Sequence, residues 1–149
     1  MCIHGQTDAD TAALTAAYQQ ILSTRTGAGL EFTLESSATI YTITNVPGVP
    51  AQFISSTNTI SLDPNFTPVL QTTDGPQVAS TDILLAHELG HAVTGLPDEG
   101  PMNVIDAVEN SYRADLGLPA RTAYTPVAYQ PFGSPPYTGF QFQLPSLLH

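Results

Sequence analysis

The sequence contains no lysine and no tryptophan, and its only strongly basic residues are three arginines among 149 residues. Against 13 acidic residues, this leaves a net charge of −10 at pH 7. Proteins bind nucleic acid largely by neutralising phosphates with lysine and arginine, so we expect no nucleic-acid partner. The charged fraction of 11% and the hydrophobic fraction of 42% predict a folded globular chain rather than a disordered one.

Cysteine is almost absent as well. Cys2 is the only one, which excludes an intramolecular disulfide and a zinc site built from thiolates. The sequence shows no secretory signal, and no hydrophobic run in it is long enough to span a membrane. The length fits one domain with its own core. We therefore expect residues 1–149 to form a single domain that is monomeric and does not bind a membrane.

Residues 80–92 carry the pattern His-Glu-x-x-His. On a helix, which turns about 100° per residue, His87 and His91 stand on one face roughly 6 Å apart. Two imidazoles so placed can hold one Zn²⁺ and leave a position for water, and Glu88 beside them can take a proton from that water. The pattern predicts a zinc metallopeptidase with one zinc ion per chain, in which His87 and His91 bind the metal and Glu88 is catalytic.

The spacing of apolar residues predicts a small α+β fold. Helical periodicity marks residues 8–23, and alternation of apolar and polar residues marks four short strands at Leu30–Glu35, Ala38–Thr44, Ala51–Ser55 and Asn58–Leu62. Prolines in residues 64–80 indicate a loop, and Gly95 and Pro97 end the helix that carries the histidines. We expect a short antiparallel or mixed sheet packed on that helix and on a second helix, Asn103–Asp115. An irregular tail rich in proline and aromatic residues follows from residue 122.

A catalytic zinc site normally has three protein ligands, so a third ligand must follow His91. Metzincins carry histidine or aspartate six residues after the second histidine, and that position is Pro97 here. Glu109 lies on the second predicted helix, at a separation from His91 close to that in gluzincins, and we interpret it as the third ligand. Three other carboxylates stay open: Asp98, which would bind as in the aspartate-type zincins, Glu99 and Asp106.

The residues after Glu109 continue a longer pattern, Glu-Asn-x-x-Arg followed by glycine and by Arg-x-x-Tyr, which ends at Tyr124. Together with His-Glu-Leu-Gly-His, this pattern resembles the NleD-like family of bacterial effector and toxin zinc metallopeptidases over residues 80–124. The segment between His91 and Glu109 is shorter than in many members, and residues 1–80 carry no motif of the family. The resemblance implies a compact zincin fold, delivery by a bacterial secretion system and action on a protein or peptide in a target cell. An immunity or inhibitor protein would be a second partner.

Two of the three arginines, Arg113 and Arg121, lie inside this pattern. Arg113 follows Glu109 by one helical turn, so it can brace that carboxylate or contact a substrate carbonyl. Tyr124 can reach over the metal and donate a hydrogen bond to the oxyanion that develops during peptide cleavage. The alternatives for that role are Tyr112, Tyr129 and Tyr137.

The sequence therefore supports two hypotheses of different classes. The first is a zinc endopeptidase, whose substrate adds as an extended strand to the edge of the sheet; we expect that edge to be Asn58–Leu62. The second is a non-catalytic, metal-containing module whose acidic surface binds a partner protein. Glu88 favours the enzyme, because a purely structural zinc site needs no carboxylate beside the metal.

Overall fold

The computed structural model describes residues 1–131, with side chains described as far as Tyr129. These residues form a mixed α+β fold, as the sequence predicts. The strands are β1 (Cys2–His4), β2 (Thr42–Asn45), β3 (Gln52–Ile54), β4 (Thr59–Leu62), β5 (Phe66–Thr72), β6 (Gly75–Val78) and β7 (Ala128–Pro131). The helices are α1 (Asp8–Leu22), α2 (Arg25–Ser36), α3 (Thr81–Thr94) and α4 (Asn110–Asp115), and a π-helical turn (Ile105–Glu109) leads directly into α4.

Helix α1 lies where the periodicity predicts it. The side chain of Thr7 caps its first turn by accepting a hydrogen bond from a backbone N–H three residues later, at 3.1 Å. Leu14, Ala17 and Ile21 face the core at helical spacing. Because α1 packs against α3, it covers one side of the helix that carries the two histidines.

The strand predicted at Leu30–Glu35 is wrong, because these residues belong to α2. Thr24 caps this helix in the same way as Thr7 caps α1, and Leu30 and Leu34 lie on its buried face, one turn apart. Phe32, which the alternation placed beside them, is 75% exposed. Two leucines four residues apart fit a helix as well as a strand, and the cap at Thr24 favours the helix.

The first sheet has the strand order β1–β2–β4–β3. Strands β1, β2 and β4 run parallel, and β3 runs antiparallel to β4. The predictions at 51–55 and 58–62 are confirmed as β3 and β4, while the strand predicted at 38–44 begins only at Thr42. The predicted sheet edge is wrong: β4 lies between β2 and β3, and β3 is the edge strand that packs against α3.

Residues 64–80 are not a loop, because β5 and β6 form an antiparallel hairpin. The hydroxyl of Thr72 donates to the Gly75 carbonyl at 2.7 Å and accepts from the Asp74 N–H at 3.1 Å, which closes the turn. Gly75 has a φ of 91°, a conformation that favours glycine. Pro76 is tolerated because β6 is the edge of a sheet with the order β6–β5–β7, and an edge strand can lack one donor.

The predicted irregular tail contains a strand in its described part. Strand β7 pairs antiparallel with β5, and the rings of Phe66 and Tyr129 stack with their centroids 5.0 Å apart. An isolated bridge joins Thr72 to Arg121, so the chain is already fixed to this sheet before β7 begins. Tyr137 and the other tail residues beyond 131 lie outside the described residues.

Helix α3 ends at Gly95, which has a φ of 69° and is the left-handed residue that the sequence predicts there. The second predicted helix is confirmed as a helical segment, but it opens with the π-helical turn. The side chain of Asn103 accepts from the Asp106 N–H at 2.9 Å at its start. The Asn110 N–H then donates to the Ile105 carbonyl, five residues back, which widens the turn.

The hydrophobic core lies between the helices and the first sheet. It is built mainly from aliphatic side chains of α1, α2, α3, β2, β4 and the segment around the π-helical turn. Its fully buried members include Leu14, Ile21, Ile43, Ile60, Leu62, Leu85 and Val104. Within residues 1–131, no helix is both long enough and apolar enough to cross a membrane.

Gly90 tests how closely α3 and the π-helical turn pack. A Cβ at Gly90 would lie 2.5 Å from Cγ2 of Val104 and 3.0 Å from Cβ of Val108, so Gly90→Ala should reduce the free energy of unfolding by about 1–3 kcal/mol. The control is Gly29→Ala on exposed α2, where a Cβ meets nothing within 4 Å. That variant should gain about 0.5–1 kcal/mol. Urea unfolding followed by circular dichroism at one fixed zinc concentration measures both, and equal effects would contradict the packing described.

Candidate metal centre

Helix α3 brings the side chains of His87 and His91 together on one of its faces, as their spacing predicts. His87 is 5% exposed, and the rings of the two histidines lie with their centroids 4.9 Å apart. After the left-handed residue Gly95 the chain turns back, and the Leu96 carbonyl accepts a hydrogen bond from Nδ1 of His91 at 2.7 Å. This contact fixes the orientation of the second imidazole and returns the following residues toward the helix.

The returning chain places the carboxylate of Asp98 against both histidines. Oδ1 of Asp98 lies 2.8 Å from Nε2 of His87 and 2.8 Å from Nε2 of His91. The two Nε2 atoms are 3.2 Å from each other. Although burial alone would raise it, the contacts with the two histidines hold the pKa of Asp98 below its usual value. Three potential metal-binding atoms therefore converge on one small volume.

The hydrogen bonds of the two Nδ1 atoms show that the Nε2 atoms of the two histidines are the ones free to bind a cation. Nδ1 of His91 faces a carbonyl oxygen, which can only accept, so this nitrogen carries the proton. Nδ1 of His87 lies 2.8 Å from Oε1 of Glu109, which leads to the same conclusion for an ionised carboxylate. In the neutral rings both Nε2 atoms then present lone pairs to each other and to Asp98. Such a set of acceptors is stabilised by a proton or by a metal ion between its members.

The donor set fits zinc. Ligand atoms around a tetrahedral zinc at about 2.0–2.1 Å lie about 3.3 Å from one another. The observed separations of 2.8–3.2 Å need only a small outward movement of the ligands. Asp98, whose side chain is 36% exposed, is free to make this movement, while His87 is held by packing. Two imidazoles and one carboxylate would leave the fourth tetrahedral position open on the exposed side.

Glu109 is brought to the site, but not to the position of a third ligand. Its carboxylate contacts Nδ1 of His87, on the side of the ring that faces away from Asp98 and His91. Glu109 is fully buried, and burial alone would raise its pKa. The hydrogen bond with His87 and the two neighbouring arginines outweigh burial and hold the pKa at about 2. In this position the carboxylate of Glu109 orients the ring of His87, and its role as third ligand stays a prediction.

Two buried arginines hold the carboxylate of Glu109. Nε of Arg113 donates to Oε2 at 2.8 Å, and Nη1 of Arg121 donates to Oε1 at 2.7 Å. Arg113 is 2% exposed and lies behind Glu109, away from the cavity beside the histidines. Of its two predicted roles, bracing Glu109 is the one that this geometry supports, and a direct catalytic role is not. No role is predicted for Arg121 from the sequence, although its place in the Arg-x-x-Tyr pattern was a signal.

Glu88 lies beside the two histidines, as predicted, and is 6% exposed. Its carboxylate lies near the backbone N–H of Phe53 in the edge strand β3, which favours the ionised form. Burial raises the pKa of Glu88, and the nearby histidines only partly oppose this effect. Glu88 therefore lies next to the sheet edge, and it lines the same cavity as Phe53, His91 and Asp98. The contact with Phe53 could not be inferred from the sequence, because it depends on which strand is the edge.

An open cavity of about 480 Å³ lies next to these residues. Its walls come from β3 and the residues after it, from α3, from the chain after Gly95 and from Tyr124. The Tyr124 side chain lies beside Asp98, and its ring centroid lies 6.4 Å from that of His87. Burial and then the Asp98 carboxylate raise the pKa of Tyr124, so its hydroxyl keeps its proton. The cavity is thus lined by two of the potential ligands, His91 and Asp98, together with Glu88 and Tyr124.

The other candidates lie elsewhere. Tyr112 is buried and its hydroxyl donates to Asp82 at the start of α3, while Tyr129 stacks on Phe66. Glu99 and Asp106 line a second cavity of about 370 Å³ on the other side of Tyr124, and both are exposed. Asp106 bonds to Asn103 rather than to a histidine. The remaining alternative for the tyrosine role, Tyr137, is outside the described residues.

Comparisons with known proteins support the fold. No family model and no curated protein sequence matches the chain. Among solved structures, the chain is similar to the Salmonella zinc metalloprotease effector GtgA, with a TM-score of 0.58 and 19% sequence identity. The match covers 79% of this chain and 70% of the GtgA chain. The two proteins therefore share a fold, while the resemblance to the NleD-like family stays a prediction.

The buried group around Glu109 generates a stability prediction. Glu109→Gln keeps the shape of the side chain but leaves two buried guanidinium groups without their counter-charge. We expect a loss of about 3–5 kcal/mol in the free energy of unfolding, the range for breaking a buried ion pair. Glu99→Gln, an exposed carboxylate near the same site, is the control and should change the value little. Chemical denaturation of both variants measures the difference, and a loss below 1 kcal/mol for Glu109→Gln would contradict this account.

Proposed function

We propose that this protein is a zinc-dependent endopeptidase whose metal is held by Nε2 of His87, Nε2 of His91 and Oδ1 of Asp98. The observation that carries the proposal is the convergence of these three atoms, each within 3.2 Å of the other two, beside the carboxylate of Glu88. Asp98 replaces Glu109 as the third ligand, because Asp98 faces the Nε2 atoms and Glu109 does not. The ligand set is then that of an aspartate-type zincin.

In this proposal Glu109 and the Leu96 carbonyl orient the two histidine ligands without contacting the metal. Each accepts a hydrogen bond from the Nδ1–H of one histidine, which fixes the tautomer and raises the basicity of the opposite nitrogen. The carboxylate on His87 has the stronger effect, because it is charged and held by two arginines. A metal bound here would meet imidazoles that are already oriented, so little conformational entropy is lost on binding.

Zinc held by these residues would supply a Lewis acid for a peptide carbonyl and for a water molecule. Glu88 takes a proton from the attacking water as its oxygen bonds to the carbonyl carbon. When the C–N bond breaks, Glu88 passes that proton to the leaving nitrogen. The hydroxyl of Tyr124 can turn from Asp98 to donate to the carbonyl oxygen, where negative charge develops.

The edge strand β3 is the surface on which we place the peptide. It forms one wall of the cavity, which Phe53 and Glu88 line together. An extended peptide laid along this edge would cross the cavity in front of the histidines, with main-chain hydrogen bonds to the strand. The proposed peptide-binding edge is therefore β3 and not β4, because β4 lies inside the sheet. A protein substrate agrees with what is known of GtgA, which is described as a protease effector.

The likeness to GtgA also supports the proposed setting, a bacterial effector secreted to act in a target cell. The non-catalytic alternative, a metal-containing module that binds a partner, gives Glu88 no task. A buried carboxylate beside a metal site costs desolvation energy without a structural return. Glu88 lies next to the sheet edge and lines the cavity, so the enzyme accounts for its position and the binding module does not.

A substitution of Glu88 tests catalysis independently of metal binding. Glu88→Gln should retain about one zinc ion per chain, because the amide replaces a group that is not a ligand. Its cleavage of a synthetic library of unstructured peptides, followed by mass spectrometry, should fall by about 10²–10⁴-fold, the usual contribution of a general base. Glu99→Gln is the matched control and should cleave at the wild-type rate. If Glu88→Gln cleaves as fast as wild type, the proposed mechanism is wrong.

Asp98 tests the ligand set. Asp98→Ala leaves two imidazoles, so its zinc affinity, measured by competition with a colorimetric chelator, should fall further than that of Glu109→Gln. For Glu109→Gln, which loses an outer hydrogen-bond partner, we expect a drop of roughly 10–100-fold. Glu99→Ala removes the neighbouring exposed carboxylate and should bind zinc as wild type does. A larger loss in Glu109→Gln than in Asp98→Ala would return the role of third ligand to Glu109.

A further inference from the structure

Arg121 contacts both the carboxylate that orients His87 and the segment that carries Tyr124. Its Nη1 donates to Oε1 of Glu109 at 2.7 Å, the oxygen that also faces His87. Its Nε donates to the Ala123 carbonyl at 2.9 Å, and its Nη2 donates to the Tyr124 carbonyl. The guanidinium carbon lies 5.5 Å from the centroid of the Tyr124 ring, within the range of a cation–π contact. One buried group thus uses each of its three nitrogens on a different acceptor.

The backbone of Arg121 is itself fixed from two sides. Its N–H donates to Oδ1 of Asn110 at 2.7 Å, and its carbonyl accepts from Nδ2 of the same side chain at 3.1 Å. On the other side, the Thr122 N–H donates to the Gln71 carbonyl at 3.0 Å, which joins the segment to β5. Arg121 is therefore a rigid point between α4 and the second sheet, and the guanidinium is held where it stands.

Tyr124, by contrast, lies on the rim of the cavity and is 38% exposed. The side chain lies beside Asp98 and lines both cavities described above. Its backbone carbonyl is held by Arg121. An exposed side chain on an irregular segment needs such an anchor if its hydroxyl is to stay within reach of a reacting carbonyl.

We propose that Arg121 is a positioning residue that couples the orientation of His87, through Glu109, to the placement of Tyr124 over the metal-binding atoms. The part concerning catalysis rests on the proposed function, while the coupling itself is a property of the fold. The guanidinium of Arg121 binds both Glu109, which orients His87, and the segment that carries Tyr124. A displacement of His87 and a displacement of Tyr124 are therefore coupled through this one group. Arginine is required because its planar fork presents several fixed donors, whereas lysine presents one compact charge.

Arg113 provides the matched control. It pairs with the other oxygen of Glu109 at 2.8 Å and is as deeply buried as Arg121. Within the described part of the chain, no hydrogen bond joins it to residues 122–125. Arg113→Lys and Arg121→Lys therefore make the same chemical change at the same carboxylate, and only the second one also releases the segment that carries Tyr124.

The test follows the ring of Tyr124 in the zinc-loaded full chain by ¹⁹F NMR, after incorporation of 3-fluorotyrosine. The Tyr124 signal is the one that disappears in Tyr124→Phe. We expect Arg121→Lys to move that signal by more than its linewidth, toward the position of a solvent-exposed fluorotyrosine. Arg113→Lys should leave it in place. An unmoved Tyr124 signal in Arg121→Lys, or an equal shift in both variants, would overturn the proposal.

Peptide cleavage gives a second readout through a double-mutant cycle. Arg121→Lys should lower kcat by roughly 10–100-fold through misplacement of Tyr124. In the Tyr124→Phe background the same change should have little further effect, because the group that it positions is already gone. Additive effects would overturn the coupling to Tyr124. The NMR readout needs no proteolysis, so a shift in a protein that cleaves nothing would support the coupling and refute the proposed function.

A third variant keeps the test available if Arg121→Lys does not fold, as judged by circular dichroism. Asn110→Ala frees the backbone of Arg121 while it leaves every charge of the site in place. We expect it to shift the Tyr124 signal in the same direction as Arg121→Lys. If the signal stays where it is in wild type, the anchoring of Tyr124 through Arg121 is wrong.

Discussion

The buried carboxylate of Glu109 is the interaction on which the site depends. It meets two of the three arginines of the chain and one of the two histidines that face Asp98. In a chain with a net charge of −10, these two cations are placed inside, on one carboxylate, rather than on the surface. The pKa of about 2 keeps Glu109 ionised, so His87 always has a partner for its Nδ1–H. The π-helical turn with α4, the segment that carries Tyr124, and helix α3 therefore meet at the carboxylate of Glu109.

Much of the fold follows from local signals in the sequence, and the errors arise where those signals are ambiguous. Capping at Thr7, the glycine at 95 and helical spacing in α3 are local features, and they place these helices correctly. The strand predicted at Leu30–Glu35 fails because two leucines four residues apart satisfy both periods. The prolines of residues 64–80 suggested a loop, yet an edge strand tolerates Pro76. The order of strands in a sheet depends on long-range pairing. Local patterns therefore could not show that β3, and not the predicted β4, forms the edge.

The residues of the site also fall into two groups, those that local helical geometry places and those that only the tertiary structure places. His87, Glu88 and His91 lie together because helical geometry is fixed by the backbone, so a spacing of four is sufficient to place the two rings. The choice between Asp98 and Glu109 depends on which nitrogen of His87 each carboxylate reaches, and a sequence does not specify that. Gly95 was the available signal for Asp98, because a left-handed residue sends the next residues back toward the helix. Arg113, one helical turn after Glu109, was the available signal that this carboxylate could already be paired.

The account rests on a metal held by His87, His91 and Asp98, and anomalous X-ray diffraction at the zinc absorption edge tests this most directly. Crystals of the wild-type protein prepared with one equivalent of zinc should show a single anomalous peak. We expect it about 2.0–2.2 Å from Nε2 of each histidine and from a carboxylate oxygen of Asp98, with Glu109 still on Nδ1 of His87. A peak bonded to Glu109, or the absence of any peak between the histidines, would contradict the account.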